Sequence, residues 1–285
     1  MSTAYVNGRY LPKASAGVHI EDRGFQFADA VYEVFAVQDG RLVDEDGHLQ
    51  RLERSLDELS IQPPMSRKAL TLVMRQLLRV NHLRYGSLYL QVSRGVAPRD
   101  FPAPQNLTPT LVMTVTRQKA FDAVAARKGV NVITTHDLRW KRCDIKTVQL
   151  LAGVLAKTEA VARGAAEAWL LDDKGFITEG SASNAWIITQ NDELITRHTD
   201  HAILGGITRQ TVLKLAAENG LKYEERAFSL AEALAAREAF TTSSIIMVRP
   251  VVKIDDTQLG SGECGPFCRT IIELYDSYLK NGFSA

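Results

Sequence analysis

The chain has few cysteines, no long apolar run and almost no net charge. Its three cysteines, Cys143, Cys264 and Cys268, are too few for a disulfide framework, and no second ligand pair completes a metal site around the last two. No apolar run approaches the roughly 20 residues of a membrane span, and the first residues lack the basic and apolar regions of a signal peptide. We therefore expect a cytoplasmic protein with reduced cysteines and no bound metal.

The charge balance narrows the choice of partners. Lysine and arginine together number 34 and the acidic residues 33, which gives a net charge of +1. Nothing in this balance indicates nucleic acid or an anionic membrane as the main partner. Apolar residues make up 45% of the chain and charged residues 24%, as in ordinary globular proteins. A chain of 285 residues can form one large domain or two moderate ones.

Helical and extended patterns mix along the chain without strict alternation, which predicts an α+β (α/β type) fold. Leucines at helical spacing predict a helix over 47–61, and Ser66 can cap a second helix that ends near Asn81. Alternating apolar residues predict strands over 87–93 and 110–116. These elements form the first half of the chain.

A charged, alanine-rich segment over 118–128 is the candidate linker. It predicts a first domain over 1–117 and a second over 129–285. In the second domain, a strand over 130–135 precedes a helix over 147–164.

Lys146 lies between that strand and that helix. An amine is a nucleophile only when part of it is uncharged, and burial and nearby cations generally lower the pKa of a lysine. Arg139, Lys141 and Arg142 precede it closely in sequence. Lys146 could therefore form a Schiff base with a carbonyl compound, although a plain surface lysine before a helix is the commoner case.

Three later segments offer groups that would complement such an amine. Glu179 stands in a turn of small and hydroxyl residues over 178–184. Two glycines precede a helix predicted over 206–219, whose first N–H groups and dipole favour a phosphate, with Thr208 as an added donor. Hydroxyl residues end a strand over 239–242. Each pattern alone also fits a surface turn, loop or strand end, but with the lysine they form the set that pyridoxal phosphate needs.

Five segments then match a known family in both sequence and order. They are the residues over 21–34, 48–52, 139–146 (RWKRCDIK), 178–184 and 206–209. Over essentially its full length the chain resembles the class IV, or fold-type IV, pyridoxal-phosphate aminotransferases, and among them the D-amino-acid aminotransferases. The resemblance implies a small N-terminal α/β domain, a larger C-terminal domain, the cofactor between them, and a homodimer.

The resemblance also implies a role for particular residues. Lys146 would form the Schiff base and carry the proton, and Glu179 would pair with the pyridine nitrogen. The implied phosphate ligands are Arg51, Ile207, Thr208, Ser243 and Ser244. Tyr32 would line the substrate pocket, whereas the helical pattern alone makes Arg51 an outward-facing residue. The implied reaction moves an amino group from a D-amino acid, such as D-alanine or D-glutamate, to a 2-keto acid.

The chain departs from this family where the substrate carboxylate is bound. D-amino-acid aminotransferases carry Arg-x-His in the loop that here spans 94–102, and Phe101 replaces the histidine. Arg99 stands at the arginine position and could bind a carboxylate with two hydrogen bonds, acting on a neighbouring subunit, with Asp100 as a competitor. A solvated loop arginine is the alternative.

The missing histidine leaves other functions open. They are an (R)-selective amine aminotransferase, a branched-chain L-amino-acid aminotransferase, an aminodeoxychorismate lyase and, outside enzymes, a pyridoxal-phosphate-binding protein without turnover.

Overall fold

The computed structural model describes residues 2–283 and divides into two compact units. The first takes in 2–120 and Ile145–Gln149, and the second takes in Phe121–Asp144 and Leu150–Phe283. The domain boundaries at 117 and 129 stay predictions. The segment that carries Lys146 groups with the first unit, although the predicted boundaries assign it to the second domain.

The first unit is built on a six-stranded antiparallel sheet. Its elements are β1 (Thr3–Val6), β2 (Arg9–Pro12), α1 (Arg23–Phe27), β3 (Ala30–Gln38), β4 (Arg41–Leu42), α2 (Glu45–Glu58), α3 (Arg67–Val80), β5 (Gly86–Ser93) and β6 (Thr110–Arg117). The strand order is β2-β1-β6-β5-β3-β4. Apolar residues of β3, β5 and β6 form one core with leucines of α2 and α3. Ser66 caps α3 as predicted, since its Oγ accepts from the Ala69 N–H at 3.3 Å.

The second unit is built on a larger mixed sheet. Its elements are α4 (Ala123–Ala126), β7 (Val130–His136), α5 (Leu151–Ala162), β8 (Glu167–Leu171), β9 (Phe176–Gly180), β10 (Asn184–Ile188), β11 (Leu194–Thr196), α6 (Ile207–Glu218), β12 (Tyr223–Glu225), β13 (Phe228–Ser229), α7 (Leu230–Leu234), β14 (Glu238–Ser243), β15 (Met247–Ile254), β16 (Thr257–Gln258) and α8 (Pro266–Asn281). The strand order is β12-β11-β10-β14-β15-β7-β8-β9-β13, with β16 beside β15. Strand β7 runs parallel to both β8 and β15, while most other pairs are antiparallel. This mixture confirms the predicted α+β class.

The helix that follows Lys146 begins at Leu151, so its predicted start at 147 is wrong. The backbone before it pairs with β3 instead. Thr147 bridges Val31, and the Tyr32 N–H donates to the carbonyl oxygen of Lys146 at 3.0 Å. Helical periodicity is a local signal, and it cannot report pairing with a strand more than a hundred residues away.

Three further observations bear on the class of protein. No helix in the described part of the chain is long and apolar enough to cross a membrane. Residues 2–283 contain no group of three or more histidines, cysteines, aspartates or glutamates that could hold a metal ion. Cys143, Cys264 and Cys268 are free thiols.

Candidate active site

Lys146 is fixed through its backbone, while its amine is left unengaged. Its N–H donates to Ser55 Oγ on α2 at 3.3 Å, and its carbonyl is held by β3. The side chain is half-buried, and Nζ lies 4.2 Å from the centroid of the Tyr32 ring. Nζ has no hydrogen bond or ion pair with any other described residue. The structure thus brings together two predicted site residues, Lys146 and Tyr32.

The two arginines that precede Lys146 are engaged with carboxylates of the second unit. Arg142 forms a two-point pair with Asp144, at 3.0 and 3.1 Å. Arg139 is bound to Asp137 and Glu179. Their charges are compensated locally, so closeness in sequence overstated them as cationic neighbours of the lysine.

Arg51 is buried, and its assignment to an outward face of the helix is wrong. It forms a two-point pair with Glu33 of β3, Nε to Oε1 and Nη2 to Oε2, both at 2.8 Å. His48 Nδ1 lies 2.7 Å from the same Glu33 Oε2. Burial favours the neutral form of Glu33, but Arg51 and His48 outweigh it and hold the pKa of that carboxyl far below its usual range.

Glu33 was missed by sequence reasoning, although a signal was present. It falls in phase with Val31 and Phe35, and all three face the buried side of β3. A carboxylate on an apolar face needs a cationic partner. Arg51 and His48 are therefore an anchored pair of side chains between α2 and β3.

Arg99 lies in the loop between β5 and β6 and stacks on an aromatic ring. Its guanidinium carbon is 4.6 Å from the centroid of the Phe27 ring. Arg23, on the same ring at 4.8 Å, donates to the carbonyl oxygens of Asp100 at 2.7 Å and Phe101 at 3.0 Å. The Asp100 carboxylate accepts from the Phe101 N–H at 2.8 Å. Buried Arg23 thus fixes the loop, and Arg99 itself is exposed.

In the second unit, Glu179 lies near the end of β9 and is buried. Arg139 Nη1 donates to its Oε1, Asn184 Nδ2 donates to its Oε2 at 2.9 Å, and the Leu204 N–H approaches Oε1 at 3.1 Å. Burial raises the pKa of this carboxyl, and the guanidinium opposes that shift in part. Glu179 is therefore a positioned carboxylate whose protonation is sensitive to its surroundings.

The N-terminus of α6 is open. Gly206 is its N-cap residue and makes no side-chain cap, so the N–H groups of the first turn have no capping oxygen. Ile207 and Thr208 are buried there. A Cβ at Gly206 would lie 2.0 Å from Asn184 Oδ1, so only glycine allows this approach. Asn184 also donates to the Leu204 carbonyl at 2.9 Å, which links Glu179 to this helix start. Such a terminus binds anions.

Ser243 and Ser244 follow the same sheet at the end of β14. Ser243 is the last residue of the strand, and Ser244 begins the turn to β15. In register just before them, Thr242 lies opposite Asn184, and its Oγ1 accepts from Trp186 Nε1 at 2.9 Å. Asn184 thus connects β10, β14, Glu179 and the start of α6, a role that its sequence context did not reveal.

The structure brings together some predicted residues within each unit. In the first unit, Lys146 meets Tyr32, whereas Arg51 pairs with Glu33 and Arg99 stacks on Phe27. In the second, Asn184 connects Glu179 with the loop before Thr208 and with the strand that ends at Ser243.

Known proteins resemble this chain over most of its length. The family described as amino-transferase class IV matches residues 30–254. A D-alanine aminotransferase of Bacillus licheniformis is 42% identical over 266 residues, 93% of each chain. A D-alanine aminotransferase of Staphylococcus haemolyticus is 34% identical over 284 residues, 99% of each chain. The solved branched-chain amino acid aminotransferase of Escherichia coli shares the fold, with a TM-score of 0.88 at 22% identity, covering 98% of this chain and 94% of that one.

Proposed function

Because the chain belongs to the class IV aminotransferases, we propose that it uses pyridoxal phosphate to transfer an amino group from a D-amino acid to a 2-keto acid. Family membership confirms the resemblance inferred from the sequence motifs. The choice of a D-amino acid, with D-alanine as the first donor to test, is supported by the D-alanine aminotransferases among its relatives.

The observation that carries this proposal is the state of Lys146. An amine that is to form a Schiff base must not already be held by a carboxylate, and it must be kept in place by the backbone. Lys146 meets both conditions, since its backbone is fixed by Ser55 and β3 and Nζ meets only the face of Tyr32.

The residues present fit the chemistry of pyridoxal phosphate. Lys146 would bind its aldehyde, and Glu179 would pair with its ring nitrogen. The open start of α6, at Ile207 and Thr208, suits a phosphate. Arg51 would bring a guanidinium that Glu33 already orients. The remaining proposed ligands, from the resemblance, are Ser243 and Ser244.

The bound cofactor supplies an electron-accepting ring. The Lys146 amine takes a proton from the α-carbon of the donor and later returns one, and positioned transfers of this kind contribute about 10²–10⁴-fold to rate. The Glu179 carboxylate accepts the hydrogen bond of the ring N–H. Tyr32 lines the pocket beside the lysine, and Arg99 binds the donor's α-carboxylate. A 2-keto acid takes the amino group in the second half of the reaction.

A donor comparison tests the proposal. The purified protein, loaded with pyridoxal phosphate, is mixed separately with D-alanine, L-leucine and (R)-1-phenylethylamine, without an acceptor. We expect D-alanine to convert the cofactor to its amine form and to yield pyruvate, and 2-oxoglutarate to restore the absorbance. The two other donors should react far more slowly.

Each alternative function predicts a different result. Conversion with L-leucine alone would replace our proposal by a branched-chain L-amino-acid aminotransferase, and preference for the phenylethylamine would indicate an amine aminotransferase. Pyruvate release from aminodeoxychorismate, without D-alanine turnover, would indicate the lyase. Cofactor binding without reaction toward any of these compounds would leave a binding protein.

We also propose that two copies of the chain form a homodimer. The support is an outward face of α5 that carries exposed apolar side chains, among them Leu151 and Leu155. A cytoplasmic location stays a prediction from the sequence.

A further inference from the structure

Behind Glu179 lies a second carboxylate, joined to it by one arginine. Arg139 donates to Asp137 through Nε at 2.9 Å and through Nη2 at 2.7 Å, and its Nη1 donates to Glu179. Nη2 also donates to the Ala202 carbonyl at 3.0 Å, and Thr178 Oγ1 donates to Asp137 at 2.8 Å. The guanidinium is thus held on several sides, with 14% of its side chain exposed.

The charges in this cluster do not cancel. Arg139 carries one positive charge, against the carboxylates of Asp137 and Glu179. Burial favours a neutral Asp137, but Arg139 outweighs it and lowers the pKa of that carboxyl, so Asp137 is ionised at neutral pH. Burial raises the pKa of the nearby Cys143 thiol to about 11, so it adds no charge. With Glu179 ionised, the cluster holds one uncompensated negative charge.

That charge state is not the default for a carboxyl as buried as Glu179. Its other contacts, the Asn184 amide and the Leu204 N–H, are neutral donors. Burial alone favours the protonated form, and the adjacent guanidinium favours the ionised form. Removing Arg139 would therefore increase the affinity of Glu179 for a proton.

We propose that Arg139 is a positioning residue that keeps Glu179 ionised, so that a single shared proton resides on the cofactor's ring nitrogen and not on the carboxylate. This inference rests on the proposed function. The balance is simple, because a protonated ring beside a carboxylate and a neutral ring beside a carboxylic acid contain the same atoms and the same total charge. Arg139 stabilises the first arrangement through its contact with the anionic oxygen. Asp137, bound at two points, holds the guanidinium in that orientation.

The test compares Arg139→Gln with Arg139→Lys, which keeps the charge. Arg142→Gln is the matched control, since Arg142 lies in the same loop and pairs with Asp144 instead. Each protein is loaded with pyridoxal phosphate labelled at the ring nitrogen, and nitrogen NMR reports directly whether that atom is protonated. We expect a protonated ring in wild type, Arg139→Lys and Arg142→Gln, and a largely unprotonated ring in Arg139→Gln.

A second measurement does not depend on turnover. The affinity of each apoprotein is measured for pyridoxal phosphate and for a deaza analogue in which carbon replaces the ring nitrogen. The wild-type preference for pyridoxal phosphate should fall by about tenfold or more in Arg139→Gln, as a change of one pKa unit corresponds to a factor of ten. Arg139→Lys should keep most of it and shows whether loss of folding explains the effect.

A protonated ring and an unchanged preference in Arg139→Gln would overturn the inference while leaving the aminotransferase proposal intact. Failure of the wild-type protein to bind pyridoxal phosphate at all would instead reject the proposed function. The two failures are therefore distinguishable.

Discussion

Two lysines of one short segment, Lys146 and Lys141, differ in their surroundings. Lys141 is exposed, whereas Lys146 is half-buried with its amine against Tyr32. Replacing Lys146 by alanine should lower transamination by at least about 10²-fold, since it removes the group that moves the proton. The visible absorbance of the lysine-linked cofactor should disappear as well. Lys141→Ala, the control, should keep both, and retention of both in Lys146→Ala would reject the assignment.

At this scale, sequence motifs identified residue types better than their contacts. Lys146 and Glu179 were predicted from their segments, and their roles stay predictions. Arg51 was expected on a solvated face because helical spacing reports only local neighbours, whereas its partner Glu33 lies on a strand. Arg139 was noted only as a cation close in sequence to Lys146. Its contacts to Glu179 and Asp137 depend on how β7 and β9 meet through β8, which no short pattern encodes.

At the scale of elements, β3 and α2 are joined by the pair of Glu33 and Arg51. Replacing Glu33 by glutamine would leave a buried guanidinium without its carboxylate, and breaking such a pair costs about 3–5 kcal/mol. Urea unfolding at neutral pH should show a loss of this size in Glu33→Gln. Glu58→Gln, on the same helix with a largely solvated pair to Arg54, should change stability by no more than about 0.5 kcal/mol.

The same pair makes a pH prediction. The pKa of Glu33 is depressed in the folded state, so its contribution is present above the unfolded value of about 4.3 and is lost as pH falls below it. The stability of wild type should therefore decrease toward acidic pH more steeply than that of Glu33→Gln. Parallel pH profiles for the two proteins would show that Glu33 does not carry this dependence.

Elements with strong local signals were predicted well. The helices α2, α3 and α6 were found with small shifts at their ends, and Gly220 follows α6 with a positive φ of 67° as its cap requires. The start of α5 was missed because Thr147 pairs with β3. The sequence therefore predicts periodic elements, and it fails where pairing with a distant strand overrides periodicity.

At the scale of the whole molecule, α5 is apolar on two sides. Its alanines, Ala156 and Ala160, pack against β7 and β8, while Leu151 and Leu155 are 71% and 57% exposed. A helix with two apolar faces favours a second contact surface. We expect a dimer by light scattering, and a monomer for the double variant Leu151→Glu, Leu155→Glu.

The control for this prediction is Val124→Glu, which places the same charge on an equally exposed apolar residue of α4, 73% exposed. It should leave the dimer intact. A monomeric wild-type protein, or a double variant that stays dimeric, would show that the outward face of α5 is not the contact between copies.

The way the chain revisits its first unit has a consequence for inheritance. It enters that unit a second time at Ile145 and leaves it after Gln149. A fragment ending at Ala120 would contain Tyr32 and Ser55 but not the lysine that both of them contact, and the complementary fragment would contain the lysine without them. A chimera with a relative made by one crossover near that point would therefore combine a lysine segment and a surrounding shell of different parentage. Recombination that preserves both needs two more breakpoints, one on each side of this short segment.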